Sequence, residues 1–219
     1  MIIVGRVLAL LIGYCFGMVL MGYLIGKSKN IDLTKVGSGN VGSTNTMRNL
    51  GVPAGLITLA WDCLKCVVAV LFVRLIFGFF TEDPAVYMVY AGLGCVLGHD
   101  FPCYMHFKGG KGVASTLGFI IALFPMGIPI PAGIFVAIVA ITRYVSLGSI
   151  IGELSFAIEI IVGAAMGLLS AKYPGNQTVE VVVICCIVSA LSIALHHANI
   201  SRLLSGTENK FSFHPETRA

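Results

Sequence analysis

The sequence predicts an all-α integral membrane protein, a seven-helix transmembrane bundle that forms one domain over residues 1–219. Hydrophobic residues make up 57% of the chain and charged residues only 11%, and the mean hydropathy is +0.94. A soluble domain would carry about a quarter charged residues. Long apolar stretches recur along the chain, and helices satisfy their own backbone hydrogen bonds in lipid. This composition excludes a soluble protein, and we expect no nucleic-acid partner.

Seven apolar segments are the expected helices. Pro53 suits the start of the second helix, because proline is favoured at the first helical position. Three prolines separate the fourth helix from the fifth, and both are short, so a re-entrant pair remains an alternative to two full spans. Glycine pairs four residues apart predict close helix packing at Gly13/Gly17, Gly22/Gly26, Gly94/Gly98 and Gly163/Gly167. The expected helices cover residues 2–25, 53–80, 85–97, 113–124, 132–142, 150–169 and 179–196.

The distribution of basic residues predicts the orientation in the membrane. Seven crossings would place the two termini on opposite sides. Ten of the 14 lysines and arginines then fall on the side of the C-terminus. Basic residues accumulate on the cytoplasmic side of membrane proteins. We therefore expect an external N-terminus and a cytoplasmic C-terminus.

The central loop, residues 98–112, reads GHDFPCYMHFKGGKG and ends in a basic, glycine-rich turn. Glycines leave backbone N–H groups unshielded, so these groups can converge on an anion, and lysines add positive charge. The N-terminus of the following helix would point at the same anion. The spacing differs from that of a Walker A loop. The residues expected to hold a phosphate are Lys108, Gly109, Gly110, Lys111 and Gly112.

Three further polar segments are expected on the same membrane face. Loop A covers residues 27–51, loop B residues 142–149, and the tail begins at His196. All three are rich in hydrogen-bond donors, and a protein that only packed in the membrane would not need them there. The donors singled out are Ser38, Asn45, Arg48, Arg143, Ser146, Ser149, His196 and Asn199. Together with the central loop they predict one anion-binding site at a membrane surface.

Several charges lie within predicted spans, where they are costly unless they face a polar interior or one another. Asp62 and Lys65 are three residues apart and share a helix face. They are either a pocket wall or a buried ion pair that fixes helix packing. Glu159 needs a partner or a proton. The Cys63-x-x-Cys66 pair lies on a predicted span without a second pair, so we interpret it as packing and expect no metal site.

Three motifs resemble the acyl-phosphate:glycerol-3-phosphate acyltransferases of bacterial membranes. They are GSGNVGSTNTMRNLG at residues 37–51, GHDFPCYMHFKGGKG at 98–112 and LHHANISRLLSGTENK at 195–210, and their order and spacing fit along the whole chain. The resemblance implies transfer of a fatty acyl group from acyl-phosphate to the 1-hydroxyl of glycerol 3-phosphate. It implies a multi-pass protein of the bacterial cytoplasmic membrane with a cytoplasmic active site and no cofactor. Membrane lipid and the enzyme that makes acyl-phosphate are the further partners it suggests.

The resemblance also assigns roles to the donors. Ser38, Lys111, His196 and Asn199 are the expected catalytic residues. Ser38, Asn199 and the residues from Lys108 to Gly112 are expected to hold acyl-phosphate. Glycerol 3-phosphate is expected at Asn45, Arg48, Arg143, Ser146, Ser149 and His196. Structural roles are expected for Asp62, Lys65 and Glu208.

Acyl-phosphate is an activated mixed anhydride, so the expected mechanism is direct attack by the glycerol hydroxyl without an acyl-enzyme. The base is either His196 or a phosphate oxygen of the substrate. A carrier for an organic phosphate is the main alternative from another class, because it also needs cationic, glycine-rich elements. A carrier usually shows internal repeats, and this chain has none that we detect.

Overall fold

The structure, a computed structural model, describes residues 2–211, and every regular element in that range is helical. The tail positions beyond 211 lie outside the described residues. Short 3-10 turns at Cys103–Met105 and Pro125–Gly127 connect neighbouring helices. The α-helices in the described range are α1 (Ile2–Gly17), α2 (Met21–Ser28), α3 (Ser43–Leu50), α4 (Val52–Phe77), α5 (Ala85–Asp100), α6 (Val113–Leu123), α7 (Pro129–Thr142), α8 (Val145–Ala165), α9 (Asn176–Leu195) and α10 (His197–Leu204).

Within residues 2–211, five segments are long and apolar enough to cross a membrane. They are Ile2–Ser28, Val52–Phe77, Pro125–Thr142, Val145–Ala165 and Asn176–Leu195. Helix α6 has 11 residues, about 16 Å at the α-helical rise, whereas a bilayer core is about 30 Å thick. The all-helical membrane architecture is confirmed, and the count of seven crossings stays a prediction.

The first predicted helix is interrupted between Gly17 and Met21, and distant side chains satisfy the carbonyls that the break releases. Trp61 Nε1 and Lys65 Nζ donate to the carbonyl of Val19, at 3.0 and 3.2 Å. Tyr104 donates to the carbonyl of Met18 at 2.7 Å. A broken helix is tolerated at membrane depth when neighbouring groups bond the exposed backbone. The break therefore ties the first span to α4 and to the central loop.

Helix α5 lies at the centre of the bundle, with 13 of its 16 residues buried. Its glycines allow α1 to approach closely: a Cβ atom on Gly94 would overlap the backbone of Leu10, and one on Gly13 would overlap that of Ala91. The predicted glycine packing is therefore confirmed here. It is wrong for Gly163 and Gly167, which have no neighbour within 4 Å of an added Cβ.

Several predicted boundaries move because polar segments continue into helices. Helix α8 begins at Val145 instead of residue 150, which places both loop B serines on a helix face. Pro129 and Pro131 lie in the first turn of α7, where a helix tolerates proline, so they do not separate two helices as predicted. Loop A contains α3, and the tail contains α10. These short helices give the polar segments a regular structure that fixes the positions of their side chains.

We predict that Gly94→Ala will lower the melting temperature of the purified protein in detergent. The added methyl group would meet the backbone of α1, which cannot rotate away, so the helices must separate at a cost of about 1–3 kcal/mol. Gly163→Ala, a substitution into open space on α8, is the matched control and should leave the melting temperature unchanged or slightly raised. Equal melting temperatures for the two variants would contradict this packing.

Candidate active site

One cavity of about 530 Å³ gathers the polar segments with several apolar helix faces. Its polar end is lined by side chains from loop A, the central loop and the tail, and its other end by apolar residues of α4, α6, α7 and α8. The polar lining includes Ser38, Arg48, Lys111, His196, Asn199, Arg202 and Glu208. The apolar lining includes Leu56, Leu59, Leu117, Ile120, Phe135, Val139 and Phe156. The cavity thus matches a molecule with an anionic head and an alkyl chain.

Asn199 is the centre of the polar end. Its Oδ1 accepts a short hydrogen bond from Lys111 Nζ, and its Nδ2 donates to Glu208 Oε1 at 2.9 Å. Glu208 also forms an ion pair with Arg202, whose Nε lies 2.7 Å from Oε2. Glu208 therefore pairs with a basic residue of the tail, and this chain of contacts fixes the orientation of the Asn199 amide.

The polar end is electropositive. Burial, together with the nearby charge of Arg202, lowers the pKa of Lys111 from 10.5 to about 8. Lys111 therefore stays largely protonated at neutral pH. Glu208 compensates part of this charge, and Arg48 adds to it. A phosphate dianion entering the cavity would meet a partly desolvated ammonium group, where electrostatic attraction is stronger than in water.

His196 presents a hydrogen-bond acceptor to the cavity. Its Nδ1 lies 2.8 Å from the carbonyl oxygen of Ser192, which can only accept, so Nδ1 carries the proton and Nε2 a lone pair. Burial lowers the pKa of His196 from 6.5 to about 4, so the ring is neutral at physiological pH. The hydroxyl of Ser192 donates to the carbonyl of Lys111 at 2.9 Å, which fastens the central loop to α9.

The glycine-rich turn uses its backbone differently from the prediction. The N–H groups of Gly109 and Gly110 donate to the carbonyls of Asp100 and His99, each at 2.9 Å, and so are not available to an anion. Lys108 is exposed and does not line the cavity. The part of the turn that faces the cavity is Lys111, Gly112 and the first turn of α6. Gly112 has φ +77°, which favours glycine at this helix start.

Asn45 lines the cavity, but its amide organises loop A and has no donor left for a ligand. Its Nδ2 donates to the carbonyls of Leu33, Val36 and Asn40, at 3.2, 3.1 and 2.7 Å. Its Oδ1 accepts the backbone N–H of Ser38 at 2.9 Å. In this structure Asn45 therefore has a structural role in place of the expected contact with glycerol 3-phosphate. Its side chain holds Ser38 at the cavity.

The two predicted phosphate-binding arginines differ in position. Arg48 lines the cavity and also donates to the carbonyl of Asn209, at 3.2 Å. Arg143 is exposed, does not line the cavity and donates through Nε and Nη2 to the carbonyl of Phe211, at 3.1 and 3.0 Å. Both contacts hold the tail segment 208–211 across the polar end. Arg143 is therefore a tail anchor in this structure, not a ligand of the cavity.

Ser146 and Ser149 both line the cavity, one turn apart on α8. The Ser146 hydroxyl donates to Glu208 Oε1 at 3.2 Å, and that of Ser149 donates to the carbonyl of Val145 at 3.0 Å. Each hydroxyl keeps its oxygen as an acceptor for a substrate hydroxyl. Their position agrees with the prediction, and their role in binding glycerol 3-phosphate stays a prediction.

Both interpretations of Asp62 and Lys65 have support. They form an ion pair of 2.8 Å with side chains 2% and 1% exposed, and Asp62 also lines the cavity. Glu159 has a buried carboxylate oxygen without a hydrogen-bond partner among the described residues. No group of three or more His, Cys, Asp or Glu in residues 2–211 could hold a metal ion.

Arg202 and His99 are among the cavity residues that the sequence analysis did not assign to the site. Arg202 follows Asn199 by three residues on the same face of α10, which begins directly after His196, and that spacing could have revealed it. His99 gave no such signal, because its neighbours Asp62 and Lys65 come from another helix.

A family model described as glycerol-3-phosphate acyltransferase matches residues 7–206. This chain belongs to the glycerol-3-phosphate acyltransferase family. The glycerol-3-phosphate acyltransferase of Trichlorobacter lovleyi is 37% identical over 90% of this chain and 93% of its own length. The one from Thermotoga petrophila is 42% identical over 91% of this chain and 93% of its own length.

Solved structures of PlsY, an integral membrane glycerol 3-phosphate acyltransferase, have the same fold. Its glycerol 3-phosphate form superposes with a TM-score of 0.79 and 35% identity, covering 94% of this chain and 96% of that one. Its lysphosphatidic acid form superposes with a TM-score of 0.77 and 33% identity, covering 95% of this chain and 96% of that one. The chain is therefore a PlsY-type acyltransferase in a multi-pass membrane fold.

In this acyltransferase, we predict that Asn45→Ala will destabilise loop A. The substitution leaves three carbonyls and one N–H without their partner, and each buried polar group left unsatisfied costs about 1–3 kcal/mol. The melting temperature should fall, and protease should cut within residues 27–51 more rapidly. The control is Thr44→Ala, since Thr44 takes no part in this network. A melting temperature unchanged by Asn45→Ala, with a raised KM for glycerol 3-phosphate, would restore Asn45 as a substrate ligand.

Proposed function

We propose that this acyltransferase transfers a fatty acyl group from acyl-phosphate to the sn-1 hydroxyl of glycerol 3-phosphate. The products are 1-acyl-sn-glycerol 3-phosphate and inorganic phosphate, the first acylation of bacterial phospholipid synthesis. The observation that carries the proposal is one cavity that combines a cationic end around Lys111 with an apolar end along α6 and α7. Acyl-phosphate has the same two-part chemistry.

The apolar end continues to the lipid-facing surface. Leu56 and Leu59 line the cavity and are also 52% and 40% exposed. Both belong to α4, one of the helices long enough to span the membrane, so their exposed faces meet lipid. An acyl chain can therefore lie along α4 with its head group at Lys111 and its far end in the bilayer.

The reaction needs no covalent enzyme intermediate. The oxygen of the glycerol hydroxyl forms a new bond to the acyl carbonyl carbon, and the bond from that carbon to the phosphate oxygen breaks. Phosphate leaves with the electron pair of the broken bond. The positive charge of Lys111, held by Asn199, stabilises the leaving phosphate and any negative charge on the carbonyl oxygen.

The hydroxyl proton passes either to Nε2 of His196 or to a phosphate oxygen of the substrate. The pKa of His196, which burial lowers to about 4, makes it the weaker base, because phosphate monoesters take up their second proton near pH 6. We therefore favour the phosphate oxygen as proton acceptor, with His196 Nε2 orienting the hydroxyl. Arg48 and Arg202, both at the polar end, supply the charge for the phosphate of glycerol 3-phosphate.

We place the polar end at the cytoplasmic face of the bacterial cytoplasmic membrane, with seven crossings and an external N-terminus. The basic residues of loop A, the central loop and the tail support this side. Glycerol 3-phosphate would then enter from the cytoplasm, and acyl-phosphate would come from the lipid or from the enzyme that makes it. That enzyme is the functional partner we propose.

The test is turnover by purified protein in detergent micelles, with acyl-phosphate and labelled glycerol 3-phosphate. We expect labelled 1-acylglycerol 3-phosphate and an equal amount of phosphate, with no product from acyl-CoA in place of acyl-phosphate. A carrier would give no product, because micelles have no compartments. Absence of turnover by folded protein would contradict the proposed function.

Two variants of Lys111 extend this assay. Lys111→Ala should lower kcat/KM at least 100-fold, as expected for loss of a charged donor at the reacting phosphate. Lys111→Arg keeps the charge, so whatever activity it retains should lack the alkaline decline. In the wild type, kcat/KM should fall as pH rises through about 8, where free Lys111 loses its proton. The same alkaline decline in the Arg variant would show that another group titrates.

A further inference from the structure

Lys65 uses all three of its protons in a buried cluster beneath the central loop. Its Nζ lies 2.8 Å from Asp62 Oδ1, 3.2 Å from the carbonyl oxygen of Val19 and 2.9 Å from Nδ1 of His99. An ammonium group has three donors and cannot accept a hydrogen bond. Three acceptors therefore surround three donors.

This count fixes the tautomer of His99. Nδ1 must accept from Lys65, so it carries a lone pair, and the proton of the neutral ring is on Nε2. Asp62 Oδ1 also lies near Nδ1, at 3.5 Å. A proton on Nδ1 would serve that contact, but it would then point at the ammonium group of Lys65 only 2.9 Å away.

His99 lines the cavity beside the central loop, and its Nε2–H group has no acceptor among the described residues. The ring is 3% exposed and contributes to the cavity wall, and Nε2 makes no hydrogen bond within residues 2–211. A Cβ atom on Gly110 would overlap this nitrogen, so the central loop passes directly over it. This N–H group has no protein acceptor within the described residues, so it can donate to an oxygen of a ligand in the cavity.

We propose that His99 donates a hydrogen bond through Nε2–H to an oxygen of the acyl-phosphate head group. Lys65 and Asp62 are then positioning residues, which act by holding His99 in the donor tautomer. His99 and His196 become complementary: one ring presents a donor to the cavity and the other an acceptor. This assignment rests on the proposed function, because it needs acyl-phosphate as the ligand.

Two substitutions of His99 separate the donor from the packing. The amide of Asn reaches the place of Nδ1, so His99→Asn keeps an acceptor for Lys65 and removes the donor to the cavity. The longer amide of Gln reaches the place of Nε2, so His99→Gln can restore that donor. His197→Gln is the control, since His197 is exposed on α10 and does not line the cavity.

We expect His99→Asn to lower kcat/KM for acyl-phosphate by about 100-fold with the KM for glycerol 3-phosphate unchanged. His99→Gln should recover at least a tenth of the wild-type value, and the control should equal the wild type. Wild-type kinetics in a folded Asn variant would overturn the proposal. Equal losses in the Asn and Gln variants, both folded by melting temperature, would also overturn it.

A measurement on the wild-type protein covers the case in which the variants do not fold. The ¹⁵N resonances of the ring nitrogens report directly which one carries the proton. They can be assigned to His99 by replacing the other four histidines one at a time. We expect protonated Nε2, and a shift of that resonance on adding a long-chain alkyl phosphonate. A proton on Nδ1, or no shift at saturating phosphonate, would overturn the proposal.

The two experiments also separate this inference from the proposed function. The phosphonate titration needs no turnover, so it can succeed or fail by itself. An inactive wild-type protein with a shifted His99 resonance would refute the acyl transfer and retain His99 as a phosphonate-binding donor. An active wild type with an unperturbed His99 would retain the function and refute the assignment.

Discussion

The hydrogen-bond chain from Lys111 through Asn199 to Glu208 is the constraint on which the site depends. These three residues come from the central loop, α10 and the tail, and the Lys111–Asn199 contact joins positions 88 residues apart. A single amide satisfies a cation on one side and an anion on the other. This arrangement keeps Lys111 beside the cavity although burial lowers its pKa to about 8. Without Asn199, the lysine and the glutamate would each lose a partner in a poorly solvated place.

Polar groups within the membrane need hydrogen-bond partners from the protein, because lipid cannot supply them. Val19 in the broken first span is satisfied by Trp61 and Lys65, and the same lysine continues to Asp62 and His99. The cluster therefore performs two tasks. It stabilises a helix break that lipid would otherwise penalise, and it sets the proton on a ring that faces the cavity. Structural and chemical roles are combined in one buried lysine.

The sequence predicted the parts of the site that depend on local spacing. His196 and Asn199 lie one helical turn apart, and the structure places both at the cavity with Lys111. Composition was sufficient for the membrane fold, because five spans can be recognised by length and apolar character alone. These features need no knowledge of tertiary partners.

The errors concern residues whose partners are distant or belong to the backbone. Asn45 and Arg143 have the chemistry of phosphate ligands, yet they bond main-chain carbonyls of loop A and of Phe211. Gly109 and Gly110 turn their N–H groups towards α5, which no glycine pattern reveals. The start of α8 was misplaced because serines at a helix entrance resemble a loop. In each case the competing partner became visible only in three dimensions.

The central claim is that loop A, the central loop and the tail form one anion site on the cytoplasmic side. Single cysteines at the exposed positions Lys35, Lys108 and Thr207, in a cysteine-free background, test it through labelling by a membrane-impermeant maleimide. We predict that none of the three is labelled in intact cells and that all are labelled after the membrane is opened. Labelling of any one of them in intact cells would contradict a shared cytoplasmic site.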